Sequence, residues 1–148
     1  NTTKSTARCY NLTHLNLHTP SQMTQRNQAV QALRSILVTE NIQTNPNQSF
    51  QDTTLRPILK FQHETIMTLY HEYMVTNKIN FDNLTLDQKE RHIEQSLKKN
   101  QPLQALLKGV VIALFDEVEL NFWVLNKEEV NKRIQQLTIK RIQSTFRT

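Results

Sequence analysis

The stretch KFQHETIMTLYHEYM, residues 60–74, holds two His–Glu pairs, His63–Glu64 and His71–Glu72, eight residues apart. An imidazole beside a carboxylate is the equipment of metal ligation and of proton transfer. Eight residues turn a helix by about 800°, leaving the two histidines about 80° out of register and about 12 Å apart along the axis. One ion therefore cannot reach both from a straight helix. The His-Glu-x-x-His pattern fails because Met67 stands four residues after His63. The Glu-x-x-His pattern of di-metal bundles fails as well, since Lys60, Thr68 and Lys89 stand three before His63, His71 and His92. His63 falls at the edge of an apolar helix face, while Glu64, His71 and Glu72 point outward. The catalytic candidates that remain are weak: His63 with Tyr70 or Asp116, which only tertiary contact could assemble. No metal and no cofactor is expected.

Other chemistry-bearing clusters have local explanations. In KERHIEQ, Glu90, His92 and Glu94 alternate, and alternate residues diverge on a helix. The run DEVE places Asp116, Glu117 and Glu119 where a helix start favours carboxylates. Cys9 is the single cysteine, so no internal disulfide can form. His14 and His18 have a helix-compatible ligand spacing but lie in a polar N-terminal stretch without sustained periodicity. Near the C-terminus Lys132, Arg133, Lys140 and Arg147 share roughly one side of a helix. Such a face can touch a polyanion, but it is interleaved with Gln136 and Gln143 rather than aromatics. It reads first as a solvated face, with nucleic-acid contact a third-ranked function.

The elements that must position these groups are helical. With 148 residues, the chain can bury a core without staples. It contains one glycine, Gly109, which excludes glycine-rich phosphate loops and multiple tight hairpins. Lysines and arginines outnumber acids 18 to 13, a net charge of +5, which favours weak attraction to polyanions and nothing sharper. No apolar run reaches the ~18–20 residues of a membrane span.

Helical spacing appears over 28–38, with Val30, Leu33, Ile36 and Leu37. A polar loop follows at 41–52. A second helix is expected to start near Asp52 or Thr53, with Pro57 in its first turn, and to run to about Asn77 on Leu59, Ile66, Leu69, Tyr70 and Tyr73. Thr85–Gln88, Asp116–Glu119 and Asn126–Glu129 are three capping-box patterns. The first opens a helix on Leu86, Ile93 and Leu97. Pro102 opens the next, apolar on most sides and so expected at the bundle's centre, with another helix crossing closely at Gly109. After Asp116 comes a short helix with Val118, Phe122 and Trp123. The last helix has Val130, Ile134 and Leu137 on one face and Ile139, Ile142 and Phe146 on nearly the opposite one. That second stripe must lie under another helix or against a second chain.

Three segments carry a resemblance: TLRPILKFQHE (54–64), LKGVVIALF (107–115) and LNKEEVNKRI (125–134). In this order they resemble a group of short all-helical proteins of flavobacteria-like bacteria, over about Met23 to Phe146. Some of that group carry a glyoxalase label, which would imply a metal-dependent, β-rich fold acting on a glutathione adduct. This chain offers neither the strands nor the His/Glu ligand set. The resemblance therefore implies a helical fold and a start at Met23, and it transfers no catalytic residue.

These observations lead to an all-α, compact bundle of about five to six helices over residues 23–148. Residues 1–22 would form a disordered or extended, non-native tail. The expected function is protein–protein contact in the cytoplasm, with no membrane and with Ile139, Ile142 and Phe146 as a homodimer surface. The alternative is an enzyme or ligand-binding bundle with its site around His63.

Overall fold

The computed structural model of the chain describes residues 24–34 and 45–147. The expected tail with Cys9, His14 and His18, and the apolar positions Ile36 and Leu37, lie outside them. The fold is all-α, and no strand occurs among the described residues. The helices are α1 (Thr24–Arg34), α2 (Pro46–Phe50), α3 (Arg56–Phe61), α4 (His63–Thr76), α5 (Leu86–Lys99), α6 (Gln101–Ile112), α7 (Glu117–Leu125) and α8 (Lys127–Thr145). Because α2 to α4 form one broken rod, the expected bundle of five to six helices stands.

That rod begins earlier than expected. Asn45 caps it by accepting the Asn47 N–H, and Pro46 occupies the first turn, where no amide is needed. Residues Gln51–Leu55 then form a π-helical turn, closed by the Arg56 N–H donating to the Gln51 carbonyl. Pro57 accounts for it: proline has no N–H, and its ring collides with the carbonyl four residues back in a regular helix. A wider turn lets the chain continue in the same direction. Asp52 is thus not a cap but a buried side chain inside the rod. It accepts hydrogen bonds from Gln48, Gln51 and Arg56. The rod breaks again at Gln62, whose ψ of 10° interrupts the helix before His63.

Two of the three capping boxes form as read. The hydroxyl of Thr85 accepts from the Gln88 N–H while the Gln88 side chain accepts from the Thr85 N–H. Asp116 and Glu119 make the same exchange at α7. The third does not form: the Asn126 side chain donates to the Phe122 carbonyl and caps the preceding helix instead. Asn100 caps α6 by accepting from the Leu103 N–H.

The centre of the bundle is α8, not α6. It packs against α3, α4, α5, α6 and α7. This resolves the double stripe of the last helix: Val130 and Ile134 are buried on one side, Ile139 and Ile142 on the other. Phe146 is half-buried, its ring 5.0 Å from that of Phe81. The expected homodimer surface at Ile139, Ile142 and Phe146 is therefore spent inside the chain, because a central helix must be apolar on more than one face. Amides of α8 also reach backbone carbonyls of α5, with Gln135 donating to Leu97 and Gln143 to Glu90. Facing α8 are Leu55, Ile58, Leu59, Ile66 and Tyr70 of the rod, Ile93 and Leu97 of α5, and Leu103, Leu107 and Val111 of α6, all in one core. Each fully buried aliphatic side chain contributes about 1.5–3 kcal/mol.

Three further expectations change. Leu33 and Leu86 are exposed rather than core, and among its described side chains α1 buries only Val30. The short helix α7 buries no residue fully, and its Val118 is exposed. Finally, α6 keeps one face open, and a Cβ built on Gly109 meets nothing within 4 Å. No helix of this chain crosses at Gly109 among the described residues.

Candidate functional site

His63, Tyr70 and Asp116 do not converge. His63 is half-buried at the start of α4. Its Nδ1 is enclosed without a partner, and its Nε2 stands 4.0 Å from the exposed carboxylate of Glu64. Asp116 is occupied as the cap of α7 and accepts the Gln31 amide at 2.6 Å. Tyr70 is fully buried and turns to α5, where its hydroxyl lies 3.4 Å from His92 Nδ1 and 3.3 Å from Ser96 Oγ. Ser96 in turn donates to the Ile93 carbonyl.

This Tyr–His–Ser cluster looks like chemistry but is built for packing. Burial is the largest influence on the Tyr70 phenol and pushes it up to about 12. It therefore stays protonated and donates. Desolvation lowers the His92 pKa, which favours the neutral imidazole; because Ser96 already donates to the Ile93 carbonyl, the single phenol proton can serve Ser96 while the Nδ1–H tautomer of His92 donates to the phenol oxygen. Phe81 packs edge-on to the His92 ring at 5.6 Å. A phenol held neutral beside a neutral imidazole, under an aromatic lid, closes a buried polar network. The spacing His92–Ser96, four apart on one helix face, was a readable signal for it. The partner Tyr70 was not readable, because it arrives from another helix.

The other expected groups stay apart. Glu64, His71 and Glu72 are exposed along α4. Glu90 pairs with Arg147, and Glu94 with Lys98. Among the described residues, no group of three or more His, Cys, Asp or Glu side chains could hold a metal ion. Of the basic face on α8, Lys132, Arg133 and Lys140 are exposed, but Arg147 is drawn to Glu90 and Arg133 leans on Gln136. No described helix is long and apolar enough to cross a membrane.

Two features that the sequence did not present as sites remain. The first is the open face of α6. Pro102, Ala105, Leu106, Gly109 and Ala113 are all exposed and fall within about 100° of the helix circumference, with no charge among them. The side chain of Leu106 is 49% exposed. At the far end of this strip the Arg26 guanidinium donates to the carbonyls of Ala113 and Phe115, each at 2.8 Å, closing the C-terminus of α6. The second feature is a cleft between α5, α6 and α8. Its residues come from three helices, so no local spacing announces it.

No protein-family model, curated protein or solved structure matches the chain.

Proposed function

We propose that the chain acts through protein–protein contact, that the contact face is the open strip of α6, and that its occupant is a second copy of the same chain. The supporting observation is Gly109. A glycine inside a helix costs about 1 kcal/mol relative to alanine. Nothing within the described chain uses the space it leaves. A helix laid across α6 at that point would use it, since a missing Cβ lets two backbones approach closely. Two-fold association needs a self-complementary patch. A strip without charge meets no like charge when it faces itself, and Leu106 stands three residues from Gly109, beside the gap that a partner's Leu106 would fill. The cytoplasm is the compartment proposed with this role.

Sedimentation of the chain and of Leu106→Glu tests the reading. The expected result is a dimer for the native chain at tens of micromolar and a monomer for the variant, with helical content unchanged. A native chain that stays monomeric throughout that range refutes the dimer. A monomer that loses stability on Leu106→Glu would place the occupant of the strip within the chain itself.

A further inference from the structure

The cleft between α5, α6 and α8 has a volume of about 150 Å³. A cavity of that size accommodates a benzene ring. Its apolar lining is Leu97, Leu107 and Ile134. Thr138 also lines it, and the Thr138 hydroxyl is buried without a hydrogen-bond partner. An unpaired buried hydroxyl is costly in a folded chain and points to a missing partner.

The remaining wall is polar and one-sided in charge. Lys108 and Lys132 both line the cleft, no carboxylate does, and neither ammonium is ion-paired among the described residues. Around them, the side-chain amides are already aimed. Gln104 and Gln135 donate to the carbonyls of Lys98 and Leu97. Asn131 Oδ1 accepts the Trp123 indole N–H at 2.9 Å, which leaves the Asn131 NH₂ free to donate. Two lysines without ion pairs and one amide NH₂ thus stand around an apolar pocket, with the unpaired Thr138 hydroxyl buried in its wall.

From this arrangement we infer that the α5–α6–α8 cleft binds a small organic carboxylate, with its hydrocarbon or aromatic part against Leu97, Leu107 and Ile134 and its carboxylate between Lys108 and Lys132. The site is distinct from the α6 strip, because the α6 wall of the cleft is Gln104, Leu107 and Lys108, none of them a strip residue, although Lys108 borders the strip about 60° round the helix from Ala105. The inference is therefore independent of the dimer.

Benzoate is the probe of matching size and charge, and benzamide is its uncharged counterpart. The chain holds a single tryptophan, so the indole N–H resonance of Trp123, bonded to Asn131, reports directly on the cleft. Titrating the isotope-labelled chain with sodium benzoate at constant ionic strength should shift that resonance saturably, together with the Asn131 and Thr138 amides. Lys108→Met with Lys132→Met should weaken the response at least about tenfold, as loss of charge-assisted hydrogen bonds requires. Benzamide should bind weaker than benzoate by a similar factor. Thr138→Val provides a reading that a purely structural role would not give: removal of the orphan hydroxyl should raise Tm while lowering benzoate affinity. A linear, non-saturating shift overturns the inference, as does an unchanged affinity in the double lysine variant or in Thr138→Val.

Discussion

Gly109→Ala is the most discriminating single change, because its effects on folding and on association carry opposite signs. Within one protomer the new methyl enters open space, with no atom inside 4 Å. The substitution then acts through helix propensity and the entropy of the unfolded chain. A gain of about 1 kcal/mol follows, and in a domain of this size that raises Tm by roughly 2–4 °C. At a helix crossing the same methyl is an intruder. Each protomer contributes one at the point of closest approach, and overpacking of that kind costs about 1–3 kcal/mol, or roughly 5–150-fold in Kd. Thermal unfolding at sub-micromolar concentration, far below the range proposed for dimerisation, measures the first effect. Sedimentation at tens of micromolar measures the second. Higher Tm in dilute solution with weaker dimerisation is the expected pair. A lower Tm in dilute solution would refute the reasoning at its root, because part of the same chain would then have to lie against Gly109. A higher Tm with unchanged dimerisation would remove α6 from the interface.

Three other outcomes follow from the described geometry. Lys78 has a φ of 55° and closes α4 as a Schellman turn, with the Lys78 N–H on the Val75 carbonyl and the Ile79 N–H on that of Met74; Lys78→Gly should relieve about 1 kcal/mol of left-handed strain and raise Tm, and a fall would show that the lysine side chain holds the turn. Replacing Asp52 with alanine should destabilise the chain by about 2 kcal/mol, since three donors lose a charged acceptor; denaturant midpoints compared with Asp52→Asn, which keeps one acceptor, check it. The Gln48 hydrogen bond, above all, holds the Asp52 carboxyl below the usual carboxylate range, so the stability it supplies is complete above about pH 4 and is lost as pH falls through the lowered folded value. Desolvation lowers the His92 pKa, so the unfolded chain takes up its proton first on acidification: stability is full above the ordinary histidine value of about 6.5 and falls from there toward the lowered folded value, a slope that Tm measurements on His92→Gln should lack.

How much of this was legible depends on the range of the determining contacts. The caps at Thr85 and Asp116 were readable because both partners sit within three residues. Asn126 misled for an equally local reason: its amide can cap the helix that ends as readily as the one that begins, and the Phe122 carbonyl was in reach. The rod's start was missed because Asn-rich loops and Asn-Pro helix starts share a composition, and Asn45-Pro46 is the second kind. The position of α6 was misjudged because hydrophobic content was read as burial. Its apolar residues divide into a buried set, Leu103, Leu107 and Val111, and an exposed set around Leu106.

The functional groups show the same limit more sharply. The local clusters weighed along the sequence, His63 with Glu64, Glu90 with His92, and Asp116 with its neighbours, form no site, and the one tertiary grouping expected, His63 with Tyr70 or Asp116, does not assemble. Glu90 answers Arg147, His92 answers Tyr70 and Asp116 answers Gln31, all from other elements. The cleft is the extreme case, since Lys108 and Thr138 carry no meaning until α6 and α8 are side by side. Gly109 is the reverse. Its sequence context called for a close crossing, the described chain supplies none, and the space beside it stays open to solvent. A helix that carries a glycine on an uncharged face, with its other apolar residues already in the core, has one face left over, and that face is where a second chain gains most by approaching.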